Sequence, residues 1–399
     1  MSDRPLLVLG GSRYQIPYIE AGQRLGKRVL CCDMHSDPPG KEAADRFIQC
    51  DTSDHEHALA IAKEEQVAGV LAPATDVAVL TKALIDDTLG LAGPPVDAAL
   101  ILTDKSKFRI WRDQIEPGPR WRTVDTWHMP DREPLPTPFI LKPNRSSGGR
   151  GAGRVGSLSD LQSLWRSWDE RTRQGGALAE TWLEGNELSL EGFLRDGEFW
   201  FALVTSRRTA QVPYVATTGH RWPSGLSAEA EAETIESVAE ICRRLGVNDG
   251  PVDADIIYTD APQVLELSPR PGGNCLTHLV SSVLRVDYAE VAVNSALGSR
   301  PQGPSPSMRV GAAALDILHA FQPAVLSYDL GAVTAAMSGD GVALLEIDYP
   351  SGERVTSFRS GRDRIGAVIA TGPTISQAEA SIFHTLDCLD WRLEPVFTL

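Results

Sequence analysis

Long apolar runs are missing from this 399-residue chain: no stretch reaches the ~20 residues that a membrane-spanning helix needs. A bilayer-spanning reading is therefore set aside. Cysteine is scarce, with six residues at positions 31, 32, 50, 242, 275 and 388, no Cys-x-x-Cys pair and no zinc-like spacing. This argues against a disulfide framework and a structural zinc site, and predicts reduced thiols. Positive charge is in deficit too, with 38 Lys and Arg against 53 Asp and Glu and a formal net charge of −15. Such a surface repels nucleic acid and anionic membranes, so neither is expected as the main partner, although a local basic pocket is compatible with it. The opening Met-Ser-Asp-Arg-Pro lacks the basic start and long apolar region of a signal peptide, and with the thiol pattern it predicts a cytoplasmic location. Internal repeats and low-complexity tracts are absent as well.

What is present is an ordinary globular composition, 42% hydrophobic and 23% charged, long enough for two or three domains and incompatible with a mainly disordered chain. Leu6-Leu-Val-Leu9 reads as a strand running into Gly10 and Gly11, followed by a helix over about 15–25, a strand at Val29–Cys32 ending in Asp33, a helix over about 55–65 and a strand at Gly69–Ala72. This alternation predicts an α/β fold with a parallel sheet. Ser12, Arg13 and Tyr14 follow the glycines, so the dinucleotide fingerprint G-x-G-x-x-G is incomplete and a nicotinamide site is not expected. Proline density between about 87 and 140, including Pro117, marks a linker or domain edge. Phe139–Lys142 and Ala177–Glu180 read as strands around a glycine-rich turn and a helix over about 158–173, which together make a small lobe. Strands at 188–193 and 199–205, an amphipathic helix over 228–245, a Pro/Ser-rich linker at 301–306 and a helix near 376–386 follow. The nine tryptophans are scattered and are assigned to packing.

The richest segment is a pair of facing runs, Gly250–Tyr258 and Gln263–Asn274. With Thr259–Pro262 as a four-residue turn they predict an antiparallel hairpin in which Tyr258 faces Gln263 and Asp255 faces Glu266. Opposed like charges destabilise a sheet unless something neutralises them, and a divalent cation is the candidate. Strand alternation places Asp253, Asp255, Glu266 and Ser268 on one face and Val252, Ala254, Ile256, Leu265 and Leu267 on the other. Beyond the strand, Arg270 and the Gly272-Gly273-Asn274 turn offer a guanidinium fork and free backbone donors for a carboxylate or phosphate. A plain salt bridge between one aspartate and Arg270 is the competing reading.

Three more segments carry chemistry. Lys142-Pro-Asn-Arg-Ser-Ser-Gly-Gly-Arg-Gly-Ala-Gly153 combines a lysine, the Ser146 and Ser147 hydroxyls and the backbone of Gly148 and Gly149 into a phosphate cradle, without the Gly-Lys-Ser/Thr ending of a P-loop. Glu180-Thr-Trp-Leu-Glu-Gly-Asn-Glu187 reads as a strand turning into a connector that could reach a planar base, with Glu187 near a ribose; a solvated acidic hinge is the better reading of these residues alone. His220, in Thr217-Thr-Gly-His-Arg-Trp-Pro223, is read as a loop histidine beside an arginine, able to touch a phosphoryl group or a substrate carboxylate.

Taken in order, these segments resemble the ATP-grasp superfamily of carboxylate-amine ligases over most of the chain. The resemblance implies an N-terminal α/β domain over 1–100, a lid lobe with linker helix over 101–185, a central catalytic lobe over 186–305 and a C-terminal subdomain over 306–399. It implies ATP with Mg²⁺ or Mn²⁺ as cofactors, small carboxylate and amine substrates, and a homodimer. Asp104-Lys105 is similar to the entry of the ATP-binding region, Lys142 to the second ATP lysine, and Ser146–Gly151 to the lid loop. Glu180, Thr181, Trp182 and Leu183 are similar to the adenine hinge, with Glu187 at the ribose. Asp255 and Glu266 fall at the metal positions, with Asp253 as an alternative to Asp255, and Ser268 stands where many members have Asn. The Gly-His-x-x-Pro loop, Arg270 and Arg364–Thr374 look most like the L-amino acid (dipeptide) ligases; the resemblance implies an amide-forming ligase working through an acyl phosphate, with Arg270 and the Gly273 N–H steadying that acyl phosphate and His220 orienting a phosphoryl oxygen or the incoming substrate. Purine-pathway ligases or carboxylases of the same fold, discriminated by a nucleotide-monophosphate pocket near Gly10–Arg13, and a non-catalytic nucleotide-binding module are the rival expectations.

Overall fold

A computed structural model describes residues 4–116, 118–126, 128–210 and 213–396; Pro117 of the proline-dense stretch and Trp127 lie outside them. The N-terminal sheet is parallel in the order β3-β2-β1-β4, from β1 (Leu6–Leu9), β2 (Val29–Asp33), β3 (Arg46–Gln49) and β4 (Gly69–Leu71). β1 is buried along its whole length, as a continuous apolar run in a sheet covered on both faces requires. β3 was not anticipated, because its exposed Arg46 and Gln49 ends hide a two-residue apolar middle. One face of the sheet is covered by Ala289, Ala292, Val293 and Ala296 of the helix Tyr288–Ala296, which lies far along the chain. A Cβ on Gly69 would stand 2.2 Å from the Ala296 carbonyl oxygen, so a glycine is needed for this close approach.

The first part of the proline-dense region, up to Asp113, is largely helical, with the end of helix Val79–Leu89 followed by helices Val96–Leu102 and Lys105–Asp113. Pro95 immediately precedes one of them, and Asp104 caps another by accepting from the Ser106 and Lys107 amides. The small lobe is an antiparallel sheet in the order β5-β8-β6-β7, made of β5 (Trp121–Val124), β6 (Phe139–Pro143), β7 (Gly153–Val155) and β8 (Ala177–Thr181). The helix expected over 158–173 is two, Leu158–Ser167 and Glu170–Gln174. Trp168 leaves the helical region to bury its ring in the lobe's core, and Asp169 restarts the helix by capping the Thr172 amide at 2.7 Å.

The remaining strands are β9 (Asn186–Arg195), β10 (Glu198–Thr209), β11 (Thr217–Trp222), β12 (Gly250–Tyr258), β13 (Pro262–Ser268), β14 (Ala312–Leu318), β15 (Ala324–Ser327), β16 (Val342–Ile347), β17 (Arg354–Val355), β18 (Gly366–Gly372) and β19 (Arg392–Pro395). Eight of them form one sheet in the order β13-β12-β9-β10-β11-β14-β18-β16, so strands of the C-terminal region continue the central sheet; β17, β15 and β19 form a small sheet. Val252, Ala254, Ile256, Val264 and Leu267 pack with Leu188, Leu190 and Leu194 beneath the helix Ala228–Arg244. The opposite face of the same strands is therefore left for polar side chains. No helix among the described residues is long and apolar enough to cross a membrane, and all six cysteines are free.

Candidate nucleotide and carboxylate site

The hairpin forms with a shorter turn than expected. Three residues, Thr259–Ala261, connect the strands, and Tyr258 pairs with Pro262 rather than Gln263. The register then slips between Asp255 and Ile256, and Asp255 pairs with Glu266. Leu265 is the extra residue of a β-bulge, so it leaves the apolar face expected for it, and Val264 takes that place. A bulge frees a backbone carbonyl, and that of Leu265 accepts from Arg109 Nη2 at 2.9 Å.

Two cross-strand rows cross the polar face. In the first, Glu266 pairs with Asp255 and Asp255 with Ser189. Lys105 Nζ stands 3.5 Å from Glu266 Oε1 and Lys142 Nζ 4.0 Å from the same oxygen, so both lysines converge on one end of this row. Lys105 also donates to the Ser146 carbonyl at 2.6 Å, and Lys142 stands 2.6 Å from Glu180 Oε2. Glu180 is buried between Lys142 and Arg109; burial alone would push its carboxyl up, but the two cations outweigh it and bring it down to about 2. Its side chain thus faces the lysine and the arginine, not a solvated hinge. Thr181, Trp182 and Leu183 follow at the lobe edge, with Arg154 stacked over Trp182. At the other end of the row, Arg207 reaches Asp255 at 2.6 Å and Glu187 at 3.1 Å, and Ser189 Oγ donates to Asp255 at 3.0 Å. Glu187 is half-buried on β9 and held by Arg207 and Thr209.

In the second row Ser268 pairs with Asp253 and Asp253 with Glu191. Arg270 binds Asp253 Oδ2 through Nη1 at 2.5 Å, so the simple salt bridge is realised at Asp253 and not at Asp255. Arg270 Nε and Nη2 both reach Asp76 Oδ1, at 2.9 and 2.5 Å, and Ser268 Oγ donates to the same oxygen at 2.9 Å. Glu191 is fully enclosed, accepting from the Gly272 amide at 2.9 Å and the Tyr288 hydroxyl at 2.5 Å. Burial and the neighbouring Asp253 charge push Glu191 well above the usual carboxylate range, and burial raises Asp253 to about 6. A Cβ on Gly272 would lie 2.3 Å from Glu191 Oε2, which accounts for the glycine. Gly273 has Ala74 of the N-terminal unit as its nearest neighbour, 3.5 Å from an added Cβ.

His220 departs from expectation in its setting. It lies within β11, not in a loop, and is 1% exposed. Burial, reinforced by the Arg207 charge, depresses its imidazole to about 3, so it is neutral; Nδ1 meets Thr205 Oγ1 at 3.0 Å, while buried Nε2 has no hydrogen-bond partner. The glycine loop is structured: Ser146 Oγ donates to the Arg150 carbonyl at 2.7 Å, Arg150 Nη2 to Ser147 Oγ at 3.3 Å, and the Gly148 carbonyl accepts from the Gly361 amide at 3.1 Å. Gly148 and Gly149 have φ of +63° and +72°. An added Cβ would meet open space at Gly148 but the Ala216 backbone at 3.0 Å at Gly149, so the second glycine also permits close contact.

The N-terminal glycine turn is filled by the chain's own groups. The Gly11 amide donates to Asp33 Oδ2 at 2.8 Å, and a Cβ on Gly11 would stand 2.7 Å from Pro38. Arg13 is paired with Asp348 at 2.9 Å, and Arg364 with Asp348 at 2.6 Å and Glu346 at 2.5 Å. Sequence reasoning missed Asp76, Arg109, Glu191 and Arg207, because each has a partner at least 48 residues away that only the fold brings near.

Among the described residues no three His, Cys, Asp or Glu side chains converge to hold a metal. Asp255 and Glu266, 35% and 38% exposed and facing each other across the strands, fit the alternative arrangement in which one or two carboxylates share Mg²⁺ with phosphate oxygens.

An ATP-grasp domain family matches residues 135–278, which include Lys142, the glycine loop and both rows of the hairpin. Residues 135–278 are thus similar to the ATP-grasp domain, whose enzymes use ATP and Mg²⁺. Residues 329–394 match a second family, L-amino acid ligase C-terminal domain 2. Mouse carnosine synthase 1 is 24% identical over 76% of this chain and 41% of its own length. A formate-dependent phosphoribosylglycinamide formyltransferase from Pseudomonas savastanoi pv. phaseolicola is 23% identical over 93% of this chain and 92% of its own. The chain thus spans about half or less of some curated relatives and nearly the whole of others. The crystal structure of L-amino acid ligase from Bacillus licheniformis superposes with a TM-score of 0.80 at 18% identity, covering 99% of each chain, a likeness of fold.

Proposed function

We propose that this protein is an ATP-dependent ligase that joins a carboxylate, of an amino acid, to an amine, releasing ADP and phosphate. The observation that carries this reading is the convergence of Lys105 and Lys142 on Glu266, opposite Asp255, with Arg270 four residues further along the same segment. Lys105 and Lys142 would exchange their present carboxylate and carbonyl partners for phosphate oxygens, while buried Glu180 keeps Lys142 aimed. Mg²⁺ between Asp255 and Glu266 would neutralise charge on the phosphates. Asp253, sealed against Arg270, leaves Asp255 as the metal ligand in this reading. Arg270, exchanging its Nη1 contact with Asp253 for the substrate as the lysines exchange theirs, and the Gly273 amide would hold the substrate carboxylate while its oxygen attacks the γ-phosphorus and the bond to ADP breaks. The amine then attacks the acyl carbon, phosphate leaves and the nitrogen gives up a proton. Such chemistry needs positioning, charge neutralisation and exclusion of water more than a covalent nucleophile. His220, buried and neutral, would act from beneath as a support for the Arg207–Asp255 pair.

Amino-acid substrates are favoured over ribotides by the match of residues 329–394 to an L-amino acid ligase C-terminal domain. The N-terminal turn adds weaker support, since at Gly10–Arg13 a ribotide phosphate would have to displace Asp33 from the Gly11 amide and Asp348 from Arg13. The purified protein should release ADP only when an amino acid and an amine are both supplied. ADP release that instead requires a ribotide would select the purine-pathway rival. Tight ATP binding with no ADP release from any pair would select the non-catalytic module.

A further inference from the structure

Arg270 is enclosed by three carboxylates from two different units of the fold. Asp253 and Glu191 belong to the central sheet. Asp76 opens a short turn, Asp76–Ala78, that follows β4 of the N-terminal sheet, and it lies 194 residues before Arg270. The approach is built from backbone as well as side chain. Ala74 adopts a left-handed φ of +54° and donates its amide to the Pro271 carbonyl at 2.9 Å. Gln15, just after the glycine turn, donates to the Pro73 carbonyl and accepts from Ser12 Oγ at 2.6 Å. The loop 73–76 is thereby pinned between the N-terminal turn and the Arg270–Gly273 segment.

The division of labour around the guanidinium is asymmetric. Asp76 takes the Nε and Nη2 edge, where a single oxygen, Oδ1, collects both arginine donors and the Ser268 hydroxyl. Asp253 and the Pro271 carbonyl take Nη1 alone, at 2.5 and 3.0 Å. Three carboxylates around one cation exceed its charge, and their protons divide accordingly. Burial drives Glu191 toward its neutral form, whereas Arg270 holds Asp76, against the same burial, below the ordinary carboxylate range. Asp76 is thus the firm anion of the group, although it comes from outside the central sheet.

We propose that Asp76 is a positioning residue for Arg270: the N-terminal unit fixes the guanidinium orientation from its Nε edge, and Ser268 braces the carboxylate that does so. This rests on the reading above, in which Arg270 addresses the reacting carboxylate. It gives Ser268 a role at the position where many ATP-grasp proteins have Asn, and it ties the seating of the two units to readiness of the arginine.

The test compares Asp76→Asn, Asp76→Glu and Arg270→Lys, singly and with Asp76→Asn and Arg270→Lys combined, in the full chain. Asp76→Asn should lower kcat for ADP release on the order of 100-fold, the scale of losing one preorganised charge contact, with ATP Kd unchanged within about two-fold. Asp76→Glu, which keeps the charge, should recover part of that loss. In the Arg270→Lys background Asp76→Asn should cost less than about three-fold, because residues acting as one unit are strongly non-additive. Amide hydrogen exchange over residues 268–276 should quicken in Asp76→Asn while that of β9 and β10 does not change, a readout independent of turnover. Unchanged kcat and unchanged exchange in Asp76→Asn would overturn the proposal, as would additive effects in the double variant. A wild-type protein that releases no ADP with any substrate pair would count against the proposed function instead, and the exchange measurement would still decide whether Asp76 holds Arg270.

Discussion

Asp253 and Asp255 lie two residues apart on one strand and point to the same face, yet the fold treats them in opposite ways. Asp255 is 35% exposed, faces Glu266 across the hairpin and answers to Arg207. Asp253 is 18% exposed, faces Ser268 and is closed in by Arg270 and Glu191. The difference arises from what stands over each row. Lys142 of the small lobe and Lys105 of the preceding helix stand over Glu266, which stays 38% exposed, while the N-terminal unit presses Asp76 and Ala74 onto the Arg270 segment and seals it. One strand therefore supplies both an open carboxylate and a buried counter-ion for an arginine, and only the neighbours decide which is which.

The largest expected effect on the open row comes from Glu266→Gln, which keeps the shape but halves the carboxylate pair. Turnover should fall by on the order of 1,000-fold, with circular dichroism and melting unchanged. Near wild-type turnover would remove Glu266 from the metal assignment.

Glu180→Ala should damage stability most, because it leaves Lys142 and Arg109 buried without their common counter-ion. The expected cost is ~3–5 kcal/mol by urea unfolding. A loss below about 1 kcal/mol would mean that these cations find water or other partners.

Acid unfolding separates the interior of the sheet from its rim. In the folded chain His220 titrates near 3 rather than 6.5, so between those values the unfolded chain binds a proton that the folded chain refuses, and stability falls as pH falls. Glu180, with its folded value near 2 against 4.5, extends the same loss to lower pH. His220→Asn, which can keep the hydrogen bond to Thr205, should flatten the slope of stability against pH between about 6 and 4 by up to about 1.4 kcal/mol per pH unit. An unaltered slope would show that His220 is protonated in the fold.

The smallest effect is expected at Ser189, which gives Asp255 one hydrogen bond. Ser189→Ala should raise the Mg²⁺ requirement a few-fold, corresponding to ~1 kcal/mol, with no change in the amino-acid KM. A change in the amino-acid KM with an unchanged Mg²⁺ requirement would place Ser189 on the wrong side of the comparison.

The opposed pair Asp255 and Glu266 was legible because hairpin register follows from turn length and alternation, but it was reached with one error offsetting another. The turn is a residue shorter than expected, and a bulge at Leu265 restores the pairing. Bulges are local and leave no mark in an apolar pattern, so Leu265 was placed on the wrong face. Lys142 and the glycine loop were readable because their chemistry sits in one short segment, whereas Lys105 was reached only through the family resemblance. His220 was misplaced because Thr217-Thr-Gly-His resembles a loop, whereas β-branched residues and pairing with Arg207 carry it into a strand. Asp76 and Arg109 were invisible for a different reason. Their meaning lies in contacts 194 and 156 residues away, which only the assembled fold supplies.

The most direct measurement is a Mg²⁺ titration of ADP release, with saturating ATP and an active amino-acid pair, for Asp255→Asn and Asp253→Asn side by side. Asp255→Asn should shift the half-saturating Mg²⁺ concentration upward by on the order of ten-fold or more. Asp253→Asn should leave it in place and lower kcat through Arg270. The reverse assignment, with the Mg²⁺ shift in Asp253→Asn and none in Asp255→Asn, would contradict the division of the sheet into an open metal row and a sealed arginine row.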